Sequence, residues 1–164
     1  MSEVSEDILL YKEEDTQKDK FLTFELGSEV YGIEIKYVIE IIVIQAISEV
    51  PELPPYIKGI INLRGRIIPV MDVRTRFKKE KVPYNDRTCI IIVEIEDIFM
   101  GLIVDVVSEV LNIPDSQIIA PPEITRRSNK YIKAIGKVND SVKLILDCNK
   151  LLENDEIESL KNAN

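Results

Sequence analysis

Apolar and polar residues alternate along much of this chain, and that alternation predicts short β-strands. From Phe21 the period is two, and Gly27-Ser28 interrupts the alternation before it resumes at Val30. A strand, a two-residue interruption and a second strand indicate a β-hairpin. Further on, Arg64-Gly65 and Asn139-Asp140 each separate two apolar runs, and both pairs suit two-residue hairpin loops. The pattern therefore predicts a protein built mainly from hairpins.

The second half of the chain repeats the first half. Residues 21–44 align without gaps with residues 90–113, so that Glu96-Asp97 falls on the turn of the first hairpin. Residues 56–72 align in the same way with residues 131–147. The match is carried by apolar positions, glycines and turn pairs, so the duplicated unit is expected to be a scaffold rather than a catalytic site.

The fold class follows from the elements of one repeat. Between its hairpins, apolar spacing of three and four predicts a helical turn leading into a fifth strand. A further helical turn is expected after Asp72 and after Asp147, where a carboxylate suits the N-cap. Five short strands with frequent turns favour a small closed barrel, because closure removes exposed sheet edges. We predict a mainly β fold of two fused five-stranded barrels, SH3-like or OB-like, between which strands could be exchanged.

Regions outside the repeats differ in composition. Residues 1–20 are charged and aperiodic, which predicts a mobile N-terminal tail. Residues 153–164 show apolar positions at helical spacing, which predicts a short C-terminal helix. Between these ends we predict one domain, 21–152, with the first barrel at 21–78 and the second at 88–152.

Composition and charge exclude several classes of function. The chain has 164 residues, 45% of them hydrophobic and 30% charged, as in ordinary globular proteins. Its formal net charge of −8 disfavours nucleic acid and anionic membranes, since binding to phosphate depends on lysine and arginine. No apolar stretch approaches the roughly 20 residues of a membrane helix, and the acidic start is unlike a signal peptide. We therefore expect a cytoplasmic protein that does not insert into a membrane. We also expect it to be a monomer in isolation.

The chain offers little catalytic chemistry. It has no histidine, and neither a P-loop nor a GxGxxG pattern occurs. Its two cysteines, Cys89 and Cys148, stand alone at the edges of apolar strands and are predicted to be buried. Asp72 and Asp147 match each other in the repeats, as do Glu40 and Glu109, which favours structural roles over acid–base catalysis. We expect no enzymatic activity, no cofactor and no metal.

The two repeats differ most at one hairpin turn. The second copy has Val138 to Ser141 (VNDS) where the first has Leu63 to Arg66 (LRGR), a basic tip preceded by Asn62 on an otherwise acidic protein. A partner could select this difference, or Arg64 could simply pair with a nearby carboxylate at the surface, which contributes under ~1 kcal/mol. Sequence alone leaves both interpretations open.

A group of apolar residues also allows two interpretations. By base rate each belongs to a core. However, residues 38–47 carry more apolar side chains than one small barrel needs, and a groove between two barrels would receive an amphipathic helix. The residues concerned are Leu22, Ile35, Val38, Ile41 and Val107.

Three segments together resemble the CheW family of chemotaxis coupling proteins. They read LGSEVYGIEIKYVIEI, PPYIKGIINLRGRIIPVMDVRTRF and GLIVDVVSEV, and the likeness extends over residues 21–152. The resemblance implies two β-barrel subdomains akin to the regulatory domain of the histidine kinase CheA. It also implies a non-enzymatic adaptor that links the cytoplasmic tips of chemoreceptors to that kinase, in arrays at the inner face of the membrane. A small-barrel interaction module for a different signalling partner is the alternative.

The resemblance also assigns roles to particular residues. It implies that the receptor tip packs on a groove between the subdomains, lined by the five apolar residues named above. Positions that are functionally sensitive in the family fall on Glu40 and Arg64, for which we predict an ion pair that orients the groove face. Asn62 and Gly65 belong to the family-like turn segment. The kinase is expected on the second barrel, at residues that the resemblance does not identify.

Overall fold

The computed structural model describes residues 4–6, 8 and 17–152. In this part of the chain there are eleven strands, joined by short α-helices and 3-10 turns. The strands are β1 Lys20–Leu26, β2 Glu29–Glu34, β3 Val38–Val43, β4 Ile57–Leu63, β5 Arg66–Asp72, β6 Cys89–Ile95, β7 Ile98–Val104, β8 Val106–Asn112, β9 Ile118–Ile119, β10 Ile132–Val138 and β11 Ser141–Leu146. The helices that follow β1 are α1 Val73–Arg76, α2 Glu123–Ser128 and α3 Cys148–Leu152, and the 3-10 turns are Ile35–Tyr37 and Asp115–Gln117.

The four predicted hairpins are present, with their turns at the predicted residue pairs. They are β1–β2, β4–β5, β6–β7 and β10–β11. In the β4–β5 turn, Arg64 and Gly65 have φ values of 50° and 88°, both in the left-handed region. Two consecutive left-handed residues give the turn whose twist matches that of paired strands. The positions of the hairpins were therefore readable from the sequence.

Each sheet combines strands from both repeats. The six-stranded sheet has the order β8-β1-β2-β11-β10-β9, and the five-stranded sheet has the order β3-β6-β7-β5-β4. The first hairpin of each repeat thus joins the remaining strands of the other repeat, through the parallel pairs β2–β11 and β5–β7. The repeats 21–78 and 88–152 therefore share strands, and the exchange that the prediction left open is present.

The segments that leave the edge strands close both sheets. After β3, Ser48 forms a bridge with Ile60 in β4, with N–H···O distances of 2.9 Å in both directions. After β8, the two-residue strand β9 pairs with β10 in the same way. The chain therefore runs from one edge of each sheet to the opposite edge, which is the closure that the barrel prediction required.

The apolar spacing of three after the first hairpin, which predicted a helical turn, has two different structural explanations. A 3-10 turn precedes β3, as predicted, whereas at the corresponding place in the second repeat the chain only bends at Asp105. Within β3, the pairing with β6 shifts register between Val38 and Glu40. Such a bulge adds one residue, so Val38 and Ile41 both point into the core although three positions separate them.

Among the described residues, the buried apolar side chains form three clusters. The largest contains side chains from both sheets and lies between them. A second cluster lines the inside of the five-stranded sheet, and a third, around Phe21, Ile113 and Ile145, lines the six-stranded sheet. Strand β6 is buried on both faces, since Ile90 and Ile92 belong to the second cluster and its other apolar residues to the first. This explains its unbroken apolar sequence.

The predicted caps and cysteines agree with the structure. The Asp72 carboxylate accepts a hydrogen bond from the Thr75 N–H at 3.2 Å, and Asp147 accepts one from the Lys150 N–H at 3.1 Å. Both cysteines are buried.

The predictions for the two ends of the chain differ in how far the structure tests them. Residues 4–6 and 8 are helical, and Ile8 is buried within the largest cluster, so the prediction of a mobile tail does not hold for these residues. The predicted C-terminal helix, 153–164, lies outside the described residues.

Candidate interaction surface

The five apolar residues predicted to line a groove lie together, but inside the protein. Each has at most 9% of its surface exposed, and all belong to the cluster between the sheets. Leu22 and Val107 come from the six-stranded sheet, whereas Val38 and Ile41 come from the five-stranded sheet and Ile35 from the turn between the two. Their side chains therefore hold the two sheets together. The receptor-binding role that the resemblance gives them stays a prediction, and the structure does not present them at the surface.

The predicted ion pair between Glu40 and Arg64 is present. Glu40 lies on β3 and Arg64 in the β4–β5 turn, at opposite edges of the five-stranded sheet, so the contact depends on closure of that sheet. The Asn62 side-chain oxygen accepts a hydrogen bond from the Gly65 N–H at 2.8 Å and fixes the turn. Arg64 remains 71% exposed, so a cation is held in a defined place while still facing solvent.

Exposed apolar residues lie close to this ion pair along the chain, in β3 and after the β4–β5 turn. Ile39, at the bulge in β3, and Ile67, in β5, are exposed large hydrophobic residues next to Glu40 and Arg66. The Arg66 guanidinium lies over the Phe99 ring, 4.0 Å from its centroid. We call the set formed by Ile39, Glu40, Arg64 and Ile67 the tip surface. A fixed cation near exposed apolar groups suits a protein segment that carries both acidic and apolar side chains.

Sequence reasoning missed the two isoleucines of the tip surface. The pair Ile67-Ile68 lies within one strand, where neighbouring side chains face opposite sides, so one of the two had to point outward. That signal was available in the sequence. Ile39 gave no such signal, because only the bulge decides which of the neighbouring residues faces solvent.

A second, buried arginine is a further feature that the sequence did not reveal. Arg76, at the end of α1, donates hydrogen bonds from Nε and Nη2 to the Leu151 carbonyl in α3, at 3.2 and 3.0 Å. Its guanidinium also stacks on Tyr56 and Tyr131, 4.1 and 4.9 Å from the ring centroids. The two tyrosines occupy equivalent positions in the repeats, so Arg76 joins the repeats to each other.

A bidentate ion pair also connects the two repeats. Arg74 donates from Nε and Nη2 to the two carboxylate oxygens of Asp105, at 2.8 and 2.6 Å, and the Gly27 N–H donates to the same carboxylate at 2.8 Å. Partial burial raises the pKa of Asp105, but the hydrogen bonds from Arg74 and Gly27 outweigh it, and the pKa lies below its ordinary value. The carboxylate is therefore stabilised in its charged form, as a structural contact requires.

A cavity of about 520 Å³ lies beside this pair and is bounded by the segment between the repeats. The Tyr84 hydroxyl on this segment donates a hydrogen bond of 2.7 Å to Asp72. Burial, followed by that hydrogen bond, raises the pKa of Tyr84. Asp72 and Asp105 are thus both engaged in structural hydrogen bonds. Among the described residues no group of three or more potential metal ligands occurs.

The described helices include none with the length and hydrophobicity needed to cross a membrane.

A closed two-sheet body, with charged groups that join its repeats and a fixed cation beside exposed apolar residues, defines an adaptor that binds other proteins. The chain belongs to the CheW family: the family model for the CheW-like domain matches residues 20–156. This confirms the resemblance, and with it a chemotaxis adaptor rather than an enzyme.

Individual relatives support the same assignment. The chain is 34% identical to a chemotaxis protein CheW of Klebsiella aerogenes over 150 residues, which cover 91% of this chain and 90% of that protein. It is 33% identical to a chemotaxis protein CheW of Bacillus subtilis over 142 residues, 86% and 91% of the two chains. The crystal structure of the scaffolding protein TtCheW from Thermoanaerobacter tengcongensis matches with a TM-score of 0.78 and 39% identity, over 84% of this chain and 94% of that one. The shared fold confirms the predicted mainly β architecture.

Proposed function

We propose that this protein couples transmembrane chemoreceptors to the histidine kinase CheA, within receptor arrays at the inner face of the membrane. Membership of the CheW family and the likeness to a scaffolding protein support this role. The observation that carries the proposal is the tip surface, where the Glu40–Arg64 ion pair and the Asn62–Gly65 hydrogen bond fix a solvent-exposed cation, with exposed isoleucines close by along the chain.

The way the repeats are joined supports a mechanical role. Each sheet contains strands of both repeats, and buried contacts such as that of Arg76 join them further. A body of this kind holds two partners in a fixed relative geometry. A change in the receptor's conformation can then shift the kinase between its own states. This requires that the receptor–adaptor complex binds one kinase state more tightly than the other.

The first test is calorimetric binding of the full-length protein to the isolated regulatory domain of CheA. We expect a saturable one-to-one isotherm. We further expect Arg64→Glu to weaken binding to the kinase domain or to a receptor-tip fragment. Because the ion pair is exposed, its loss should change the free energy of unfolding by less than ~1 kcal/mol.

Two variants sharpen this test. If the Glu40–Arg64 pair acts by orienting the surface, the exchange Glu40→Arg with Arg64→Glu restores binding, whereas direct contact of Arg64 with a partner leaves the double variant defective. Arg126→Glu reverses an exposed charge on α2 and serves as the matched control. A folded wild-type protein that binds neither the kinase domain nor the receptor fragment would contradict the proposal and favour a module for a different signalling partner.

A further inference from the structure

The duplication provides an internal comparison for one lysine in each repeat. Lys133 of β10 forms an ion pair with Glu34 of β2, and strand β11 lies between these two strands in the six-stranded sheet. The residue equivalent to Lys133 in the first repeat is Lys58, and the residue equivalent to Glu34 in the second repeat is Ile103. Lys133 therefore has a carboxylate as its partner, whereas the corresponding position for Lys58 holds an isoleucine.

Lys58 shares a cavity with a second lysine, Lys81, from the segment between the repeats. Two carboxylates, Asp72 and Glu49, line the same cavity. Within residues 17–152, neither lysine forms an ion pair. Burial, followed by contact with Lys81, lowers the pKa of Lys58, and this outweighs the opposite effect of Asp72 and Glu49. Two adjacent ammonium groups repel each other, and an anion placed between them would relieve that repulsion.

The two lysines border a cavity with apolar walls. The cavity has a volume of about 290 Å³ and is lined by Ile47, Val82, Pro83 and Tyr84 in addition to the charged groups. Val82 and Tyr84 are exposed hydrophobic residues. Of the two carboxylates in the lining, Asp72 already accepts hydrogen bonds from Tyr84 and from the Thr75 N–H. The second, Glu49, is exposed.

We propose that Lys58 and Lys81 form a binding site for the carboxylate of an acidic side chain that a protein partner inserts between them. A carboxylate bound there would be to Lys58 what Glu34 is to Lys133 in the other repeat. The apolar walls favour an anion that carries a hydrocarbon stem, as glutamate does, over a fully hydrated inorganic ion. The inference rests on the proposed coupling function for the identity of the partner, but not for the chemistry of the site.

The first arm of the test uses small probes on the full-length protein. Nuclear magnetic resonance of the lysine side chains would follow titration with N-acetylglutamate amide and with the neutral N-acetylglutamine amide. We expect the acid probe to shift the signals of Lys58 and Lys81 and to raise the pKa of Lys58, and the amide probe to do neither. Lys81→Gln should raise the pKa of Lys58 and weaken binding of the acid probe. Lys137→Gln, which removes an exposed lysine elsewhere, should change neither.

The second arm measures the partners. We expect Lys58→Gln and Lys81→Gln each to lower the affinity for the CheA regulatory domain or for a receptor-tip fragment by about threefold to fivefold, the range for an exposed charge pair. If the two probes behave alike, the carboxylate site is refuted. If the acid probe binds but neither variant changes either affinity, the site takes free anions only and its assignment to a partner side chain is overturned. If the wild-type protein binds neither partner, the coupling function fails, and the probe result still decides the site.

Discussion

Arg76 shows how much a single residue can contribute to a duplicated protein. A buried guanidinium is expensive to desolvate, and the arrangement around it offsets that cost with a carbonyl acceptor and two aromatic faces. Its partners come from both repeats, namely Tyr56 of the first and Tyr131 with Leu151 of the second. The residue therefore stabilises the junction rather than either repeat alone.

We expect Arg76→Ala to lower the free energy of unfolding by about 2–3 kcal/mol, because two stacking contacts disappear and a buried carbonyl loses its donor. Arg76→Lys keeps the charge but not the planar stack, so its stability should lie between that of the wild type and that of Arg76→Ala. Urea denaturation followed by circular dichroism measures both. Arg126→Ala, at an exposed position on α2, is the control and should stay within ~0.5 kcal/mol of the wild type. An Arg76→Ala protein as stable as this control would show that the stacking contributes nothing.

At the residue scale, the sequence predicted those features that depend on local chemistry. The N-cap aspartates depend on neighbours in the chain, and the burial of the cysteines follows the usual behaviour of free cysteine; the structure confirms both. The burial of Leu22, Val38 and Val107 could not be separated from exposure in a groove, because an apolar side chain suits both places. Only the packing of one sheet on the other decides between them.

At the scale of elements, Gly59 determines whether the five-stranded sheet can close. It has a φ of 150°, and a Cβ placed on it would lie 2.1 Å from the carbonyl oxygen of Ser48. This is the point where the segment after β3 bridges to Ile60. The equivalent residue of the second repeat is Ala134, so the requirement for glycine belongs to one repeat only.

We expect Gly59→Ala to cost about 2 kcal/mol or more of unfolding free energy, since the backbone of Ser48 must move and the bridge to Ile60 must open. Gly65→Ala is the matched comparison: its φ is also positive, at 88°, but nothing lies within 4 Å of the added Cβ, so about 1 kcal/mol is expected. Hydrogen exchange of the Ile60 amide locates the effect. Unchanged protection of that amide in Gly59→Ala would contradict this account of closure.

The elements themselves were largely predictable. The four hairpins were readable because turn pairs and alternation are local signals that occur twice. The bulge in β3 was not, because an apolar spacing of three fits a helical turn as well as a strand with one extra residue. The two-residue strand β9 is too short to leave any pattern.

At the scale of the whole molecule, strand exchange makes the two repeats interdependent. Neither sheet can form from one repeat alone. Each sheet combines the first hairpin of one repeat with the remaining strands of the other repeat. Separately produced fragments 1–80 and 81–164 should therefore be largely unfolded alone, and should form a one-to-one complex with native-like circular dichroism when mixed. Size exclusion with light scattering would detect that complex. Cooperative unfolding of either isolated fragment would contradict the exchanged arrangement.

The sequence by itself determined the duplication, the hairpins and their turns, the caps, the absence of histidine chemistry and the likeness to the CheW family, because each of these is local or is written twice in the chain. The tertiary structure alone decided which repeat supplies each strand, which apolar residues are core, and which residues surround Arg76 and Lys58. Corresponding strands of the two repeats share one pattern of apolar positions, and that pattern fits pairing within a copy as well as between copies. Only the packing of both sheets around their shared core distinguishes the two arrangements.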